Sequence, residues 1–182
     1  MRIRLARMED LEVLHTIVKD AAKYMDEQGI LQWDDIYPDI AIITQDIERQ
    51  EMHVIEEDGR AVGIIVINEE QSCEYAAVPW TYAGRALVVH RLTIAPSHRR
   101  RGLATRLMEF VGNTAAIRGY DCVRLDAFIQ NPAAFSLYDK LGYRKAGIVH
   151  FRKGEFYCYE KAIKAEKAEP APSVRVGHPT TR

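Results

Sequence analysis

The chain has 182 residues, of which 47% are apolar and 28% charged, and its formal net charge is −1 at pH 7. This length and composition predict one globular domain with a full hydrophobic core. A charge so close to zero excludes a strong overall field of the kind that attracts nucleic acid or an anionic membrane. We expect no membrane segment, because no apolar run is long enough to span a bilayer and MRIRLARMED is not a signal peptide.

The first half of the chain predicts two helices and three strands. Asp10 is placed to cap a helix that ends at Gly29. A second helix carries an apolar stripe formed by Ile40, Ile43 and Ile47. Between them lies ILQWDDIYP, an irregular connection rich in aromatic and acidic residues. Alternating or β-branched segments predict strands at 2–7, at 52–56 and, after a turn at 58–59, at 61–68.

The second half predicts two more helices and four strands. After a loop over 69–84, a helix over 103–118 ends at Gly119. Asn131 caps another helix, which begins at Pro132 and ends at Gly142. The predicted strands are 86–94, 122–128, 143–151 and 155–161, the last two as a hairpin. The order β-α-α-β-β-β-α-β-α-β-β favours a three-layer α/β domain with a mixed sheet.

Two further features limit what the chain can be. Residues 162–182 are mostly polar, contain proline and are poor in large apolar side chains, which predicts a disordered or loosely docked tail beyond a domain of residues 1–161. The three cysteines, Cys73, Cys122 and Cys158, are widely spaced. Since they have no metal-ligand spacing, we expect no metal site, and their free thiols suit a reducing cytoplasm.

The stretch IAPSHRRRGLAT, residues 94–105, predicts an anion site. A strand end is followed by a basic turn and the start of a helix, where free N–H groups and the helix dipole favour negative charge. Gly102 allows the main chain to approach a ligand closely, and Arg99, Arg100 and Arg101 add positive charge. The expected ligand is a phosphate or pyrophosphate. The alternative is a solvated basic loop. The stretch matches neither the Walker A motif nor the dinucleotide-binding motif, so it does not by itself identify the ligand.

Two sequence blocks resemble a known family. The first block, Arg99-x-x-Gly102-x-Ala104, follows a predicted strand and resembles the acetyl-CoA-binding motif of the GNAT N-acetyltransferases. The second block is Asn131-x-x-Ala134-x-x-x-Tyr138-x-x-x-Gly142-Tyr143 and resembles the second pattern of that family. The resemblance covers about residues 2–161. It implies a three-layer GNAT-like fold whose central mixed sheet is splayed and flanked by helices.

The resemblance also implies where acetyl-CoA binds. The turn before the third helix would hold the pyrophosphate through backbone N–H groups. The strand at 86–94 would diverge from that at 122–128, and the pantetheine arm would bond to free backbone groups near Leu92 and Ile94. The N–H of Ile94 could then polarise the thioester carbonyl. The predicted cofactor-binding residues are Leu92, Thr93, Ile94, Arg99, Arg100, Arg101, Gly102, Leu103, Ala104, Thr105, Asn131, Ala134, Phe135 and Tyr138.

Tyr138 is the candidate general acid. The phenol has an ordinary pKa of about 10 and the leaving thiolate of CoA about 8.5, so a tyrosine near the sulfur is protonated at pH 7 and can donate its proton. The alternative is a packing tyrosine whose hydroxyl is satisfied elsewhere.

His90 is the candidate general base and also a candidate substrate-binding residue. An amine acceptor arrives as an ammonium and must lose a proton, and a neutral imidazole can accept it. Strand alternation predicts that His90, Leu92 and Ile94 point to one side. A core histidine is the alternative, and the other candidate bases are Glu70, Glu74 and the pair Asp34 and Asp35.

The connection between the first two helices is the predicted acceptor wall. Trp33, Asp34 and Tyr37 are the candidate substrate-binding residues there, because an aromatic ring and a carboxylate suit a cationic amine. An aromatic packing residue beside solvated acids is the alternative. The loop that carries Trp80 and Tyr82 is the other candidate wall.

These observations lead to one functional expectation. The chain is expected to be a cytoplasmic N-acetyltransferase that uses acetyl-CoA, needs no metal and transfers the acetyl group directly to a primary amine of a small molecule or peptide. A protein N-terminal or lysine acetyltransferase, a non-catalytic acyl-CoA sensor and a phosphate-binding domain are the alternatives. Nucleic acid and membrane are not expected as partners. A homodimer is a possible assembly, because proteins that resemble this family are often dimeric.

Overall fold

A computed structural model describes residues 1–34 and 36–163, so Asp35 and most of the predicted tail lie outside the described residues. The strands are β1 (Arg2–Leu5), β2 (Met52–Glu57), β3 (Arg60–Asn68), β4 (Ala86–Ile94), β5 (Cys122–Phe128), β6 (Arg144–Phe151) and β7 (Gly154–Ala162). The helices are α1 (Leu11–Glu27), α2 (Ile40–Glu48), α3 (Leu103–Ile117) and α4 (Pro132–Lys140). In this part of the chain, no helix is long and apolar enough to cross a membrane.

All seven strands form one sheet in the order β1-β2-β3-β4-β5-β7-β6. Only β4 and β5 pair in parallel, so the predicted mixed sheet is confirmed. Side chains alternate between its faces: Val54 and Ile64 pack with α1 and α2, whereas Ile55 and Ile65 pack in the cluster that contains α3 and Tyr138 of α4. Helices thus cover both faces, which gives the three layers.

Asp10 occupies the N-cap position of α1, as predicted, but its side chain does not cap the helix. Its carboxylate does not bond to the helix but accepts a hydrogen bond from the N–H of Arg7, at 2.8 Å, and pairs with Arg4. The reason is local, because a short 3₁₀ turn over Met8–Asp10 precedes the helix and places Asp10 inside a turn. The prediction for Asn131 is confirmed, since its Oδ1 accepts from the N–H of Ala134 at 3.2 Å.

The central strands separate at one end. β4 pairs with β5 only over Ala86–Val89, opposite Cys122–Leu125. Beyond that point β4 continues along β3, and β5 continues along β7. A gap therefore opens between the last residues of β4 and the last residues of β5, as the predicted splayed sheet requires.

A β-bulge changes the direction of side chains in β4. Val66 lies opposite His90 and Ile64 opposite Thr93, so two residues of β4 face one residue of β3. Arg91 has a φ of +53° at this position. Val89, Leu92 and Ile94 consequently pack on the same hydrophobic cluster. Because neighbouring side chains of a strand alternate, His90 lies on the opposite face, and the prediction that it shares a side with Leu92 and Ile94 is wrong.

Gly63 of β3 lies opposite Ile94, and its replacement by alanine is expected to destabilise the protein. The new Cβ would lie 2.6 Å from Cδ1 of Ile94 and 2.9 Å from the carbonyl oxygen of Thr93. Overpacking of this kind costs about 1–3 kcal/mol of unfolding free energy. Urea denaturation should show a lower midpoint for Gly63→Ala.

Gly112→Ala is the matched control for this prediction. Gly112 lies inside α3, and a Cβ there meets nothing within 4 Å, so alanine should stabilise the helix by about 0.5–1 kcal/mol. The two substitutions should therefore move the denaturation midpoint in opposite directions. A midpoint of Gly63→Ala at or above that of the unaltered protein would contradict the described packing of β3 against β4.

Candidate active site

A cleft of about 1310 Å³ occupies the gap between β4 and β5. Its walls come from the ends of these two strands, the turn before α3, the start of α4, the C-terminal part of α1 with the α1–α2 connection, and the turn of the β6–β7 hairpin. Fifteen of the eighteen predicted site residues line the cleft, and the exceptions are Arg101, Phe135 and Asp34.

The first end, called the donor end, is formed by residues 92–105 and the start of α4. Gly102 is the N-cap of α3 with a φ of +75°, and Arg100 has a φ of +60°. The first N–H bonded along the helix is that of Arg106, to the carbonyl of Gly102 at 3.1 Å. The N–H groups of residues 103–105 therefore have no acceptor within the helix. These residues line the cleft, as does Gly102, where a Cβ would meet no other residue within 4 Å.

The three arginines of the turn have different surroundings. Cζ of Arg99 lies 4.2 Å from the ring centre of Tyr24, and Arg100 lines the cleft. Arg101 instead binds Glu57 through two hydrogen bonds of 2.9 and 2.6 Å, which keeps the pKa of that carboxyl below its usual range. The predicted cofactor-binding role of the Arg101 side chain is thus corrected, because the side chain is held by β2 and is not part of the cleft wall.

The free edge of β4 lines the gap with backbone groups. The N–H of Ala95 donates to the carbonyl of Val62, at 2.9 Å, and so points toward β3. Because successive N–H groups of a strand point to opposite edges, the N–H of Ile94 points toward the gap. Leu92, Thr93 and Ile94 all line the cleft, as predicted for the donor-binding strand.

Helix α4 contributes one side of the gap. Asn131, Ala134 and Tyr138 line the cleft, and Nδ2 of Asn131 also donates to Oε1 of Gln32 at 3.0 Å. Phe135 does not line it. Its ring lies 6.2 Å from that of Tyr157 and beneath the ammonium of Lys145, so the prediction that it contacts the cofactor is corrected. Position 135 lies on the neighbouring helical face, which packs against the sheet.

Tyr138 is buried except where it meets the cleft. Its ring packs against those of Tyr143 and Tyr159, at 5.9 and 5.5 Å between centres. Burial holds the pKa of its phenol well above the ordinary value, so the hydroxyl is protonated. Within the described residues the hydroxyl makes no hydrogen bond, which leaves its proton available to a ligand in the cleft.

Asp126 is a functional candidate that sequence reasoning missed. It lies in β5 where pairing with β4 ends, lines the cleft, and accepts a hydrogen bond from the hydroxyl of Tyr75 at 2.7 Å. Burial raises the pKa of its carboxyl to about 6, although the bond from Tyr75 lowers it. The sequence did contain one signal for this residue. Asp126 is the sole acid in the largely buried strand CVRLDAF, and because acidic side chains are rarely buried, such a residue is a candidate for function.

His90 lines the cleft but is a weak base. Its Nε2 lies 2.9 Å from Oδ1 of Asn68, and Asn68 in turn donates to Glu51 at 2.8 Å. This chain of bonds assigns the proton to Nε2, because an amide oxygen only accepts. Burial, assisted by the charge of Arg91, lowers the pKa of the imidazole to about 4. The ring is therefore neutral at pH 7, and its role stays a prediction.

The other candidate bases and the second candidate wall lie elsewhere. Glu70 pairs with Arg49 at 2.7 Å, and the exposed Glu74 accepts from the thiol of Cys73. Trp80 stacks on Arg124 at 4.4 Å. Neither glutamate lines the cleft, nor do Trp80 and Tyr82.

The second end, called the acceptor end, has aromatic walls. Trp33 and Tyr37 line it as predicted, together with Ile42, Tyr75, Phe151 and Phe156. Arg91 also lines it, and its guanidinium is bonded to the buried Asp46 of α2 by two contacts of 2.8 Å and to the hydroxyl of Tyr37 at 3.0 Å. This contact fixes the bulge of β4 against α2.

Asp34 does not line the cleft, which corrects its predicted role as a direct substrate contact. It accepts two hydrogen bonds from Arg152, at 2.8 and 2.9 Å, and lies 3.3 Å from Nζ of Lys153. It also accepts from the N–H groups of Ile36 and Tyr37. These donors hold the pKa of its carboxyl far below the usual range. Asp34 therefore ties the α1–α2 connection to the β6–β7 turn.

Among residues 1–34 and 36–163, no group of three or more histidine, cysteine or acidic side chains could hold a metal ion. The polar atoms of the cleft suit an organic anion and an amine: helix N–H groups and arginines lie at one end, and the carboxylate of Asp126 lies near the phenol of Tyr138.

Comparison with known proteins agrees with this geometry. A model of the Acetyltransferase (GNAT) family matches residues 14–143. The Bacillus subtilis protein named uncharacterized N-acetyltransferase YesJ is 24% identical over 162 residues, which are 87% of this chain and 88% of the relative.

Solved structures share the fold. A GNAT-family acetyltransferase from Streptococcus agalactiae 2603 superposes with a TM-score of 0.78 and 26% identity, covering 90% of this chain and 95% of that one. The PaiA N-acetyltransferase from Thermoplasma acidophilum, solved in complex with coenzyme A, has a TM-score of 0.69 and 19% identity over 88% of this chain and 98% of its own. These likenesses confirm the fold that the sequence predicts.

Proposed function

Because the chain belongs to the GNAT acetyltransferase family and is an acyltransferase, we propose that it transfers the acetyl group of acetyl-CoA directly to a primary amine. One observation carries the proposal. The gap between β4 and β5 brings a polar donor end, the phenol of Tyr138 and the carboxylate of Asp126 into one cleft. Localisation in the cytoplasm and assembly as a homodimer remain predictions.

The residues of the donor end fit acetyl-CoA. The free N–H groups of residues 103–105 and the positive end of the α3 dipole suit the pyrophosphate, with Arg99 and Arg100 beside them. The open space in front of Gly102 lets the phosphates approach the backbone. The free edge of β4 offers the pantetheine amides hydrogen-bond partners, in the way that a neighbouring strand would.

The reaction needs three proton transfers. Asp126 takes the proton that the acceptor ammonium must lose, and the neutral nitrogen then forms a bond to the thioester carbon. The N–H of Ile94 stabilises the oxyanion that forms. When the carbon–sulfur bond breaks, Tyr138 donates its proton to the leaving thiolate. The nitrogen then loses its second proton to the phenolate of Tyr138, which restores the phenol. The products are the acetylated amine, CoA and the proton that Asp126 releases to solvent.

Transfer is direct rather than through an acetylated cysteine. Cys158 lies opposite Asp126 in the β5–β7 register, but burial raises the pKa of its thiol to about 12. The thiol is therefore protonated at pH 7, and only a thiolate is an effective nucleophile. His90 is assigned a substrate-positioning role, since a neutral ring bonded to Asn68 keeps a fixed orientation at the cleft wall.

Calorimetry with acetyl-CoA, followed by thiol release with a panel of amines, tests the proposal. We expect binding, and CoA release with at least one amine class. Absence of binding would contradict both the enzyme and the acyl-CoA sensor. Binding without thiol release on any small-molecule, peptide or protein amine would favour the sensor. The panel also separates small-molecule and peptide acceptors from protein N-terminal or lysine acceptors.

Arginine substitutions are expected to affect acetyl-CoA affinity unequally. Arg100→Ala should weaken binding about 3- to 10-fold, because it removes one charge-assisted contact while the backbone N–H groups remain. Arg101→Ala should weaken it less, since that side chain pairs with Glu57. Calorimetry on the two variants measures the difference. A larger loss for Arg101→Ala would mean that this side chain leaves Glu57 to bind the phosphates.

A further inference from the structure

Two cations line the acceptor end, whereas the carboxylate that pairs with them does not. Arg152 and Lys153, in the turn between β6 and β7, are both part of the cleft wall. Asp34 lies behind them and is their only acidic partner in the part of the chain that the structure describes. Counted over the described residues, this wall therefore carries two positive charges against one negative charge.

Asp34 is shared among several donors. Its Oδ1 accepts from Arg152 and from two backbone N–H groups, and its Oδ2 accepts from Arg152 and Lys153. The Lys153 ammonium has three N–H donors, yet within the described residues its single contact is the 3.3 Å one to Oδ2 of Asp34. Lys153 is one-quarter exposed and borders the cleft, so it has donors to spare for an anionic ligand.

Asp126 gives the inner part of the cleft the opposite charge. It attracts an ammonium, and the surfaces that lie along the cleft toward Lys153 are aromatic, chiefly Tyr75, Phe151 and Phe156. A ligand that satisfies the whole acceptor end is therefore cationic at one end, apolar in its body and anionic at the other end.

The strand register separates the two charges. Asp126 lies opposite Cys158 of β7, and Lys153 directly precedes Gly154, so it is five residues from Cys158. Five residues of extended chain span about 16 Å. A ligand that contacts both groups therefore carries its nitrogen and its anionic group at opposite ends of its body.

We propose that the acceptor is a primary amine with an apolar or aromatic body and an anionic group at the end of that body remote from the nitrogen, bound at that group by Lys153 with Arg152. The inference rests on the proposed acetyltransferase function and narrows its substrate class. A polyamine is a poor acceptor, because its second ammonium would face Lys153.

Matched acceptors test this inference by thiol release. The small-molecule pair is 4-(2-aminoethyl)benzoate and 4-(2-aminoethyl)benzamide, and the peptide pair is phenylalanyl-aspartyl amide and phenylalanyl-asparaginyl amide. We expect the anionic member of at least one pair to have a kcat/KM about tenfold higher, the size of one charge-assisted contact. The pair that is turned over faster identifies a small-molecule or a peptide source.

Three variants assign the preference to its residue. Lys153→Met should reduce the ratio within each pair to near one, and Lys153→Glu should favour the neutral member. Lys19→Met removes an exposed lysine of α1 and should leave the ratio unchanged. Acetyl-CoA affinity reports folding, because Lys153 lies outside the donor end.

The possible failures can be distinguished. Equal turnover of both members of each pair, or an unchanged ratio in Lys153→Met, overturns the inference and leaves the acetyltransferase proposal standing. Acetyl-CoA binding with no thiol release from any amine in the wider panel overturns the proposed function and the inference together.

Discussion

Asp126→Asn is expected to lower kcat/KM by about 10²–10⁴-fold, the usual contribution of a positioned general base, with little change in acetyl-CoA affinity. Asparagine keeps the shape of the side chain and can still bond to Tyr75, but it cannot accept a proton from the acceptor ammonium. Thiol-release kinetics and calorimetry on the same preparation measure the two quantities.

The pH profile gives this expectation a second measurement. A carboxyl must be ionised to act as a base, and burial raises its pKa to about 6, so kcat/KM should fall as the pH drops through about 6. Tyr75→Phe removes a hydrogen bond that lowers this pKa, and the fall should then begin at a higher pH. In Asp126→Asn this fall of kcat/KM at low pH, the acid limb of the profile, should be absent from the residual activity.

Asp20→Asn, which removes an exposed carboxylate of α1, is the matched control and should be indistinguishable from the unaltered protein. Near-normal turnover of Asp126→Asn would exclude Asp126 as the base. An acid limb near pH 4 would assign the proton to His90 instead, since the pKa of that imidazole is about 4.

Tyr138→Phe should lower kcat by about 10²–10⁴-fold, the typical contribution of a positioned acid, again with acetyl-CoA affinity retained. Phenylalanine keeps the ring that packs against Tyr143 and Tyr159, and the lost hydroxyl bonds to none of the described residues, so stability should change little. Because burial raises the pKa of the phenol, the unaltered protein should keep its activity to the alkaline end of its stability range.

Tyr143→Phe is the control for this substitution. Tyr143 is also a buried tyrosine of the same cluster, but it does not line the cleft, so its hydroxyl should not matter for turnover. Equal rates for Tyr138→Phe and the unaltered protein would remove Tyr138 from the acid role and leave it as a packing residue.

The sequence predicts the donor end better than the acceptor end, and the reason is the range of the interactions. A turn followed by a helix is local, so the order of Arg100, Gly102 and Ala104 along the chain already contains the arrangement of backbone N–H groups. The role of Arg101 depends on Glu57, which is 44 residues away and on another strand. No local pattern reveals such a partner.

The fold shows the same division. Every helix and strand is predicted close to its observed bounds, because apolar periodicity and glycine positions are local signals. The bulge at Arg91 is different, since one extra residue reverses the face of every side chain on one side of it. Asp126 could not be identified from the sequence for a related reason. It lines the cleft because the pairing of β4 with β5 ends next to it, and the point where that pairing ends depends on tertiary structure.

The short parallel pairing between β4 and β5 has a consequence for the catalytic cycle. Four residue pairs join the two halves of the sheet, and the backbone edge of β4 beyond Val89 has no strand beside it. On the proposed binding mode, a pantetheine arm bonded to that edge would act as a removable eighth strand of the sheet. Release of CoA would then break strand-like hydrogen bonds to β4, so the energy of those bonds would contribute to how tightly product is held and how fast it leaves.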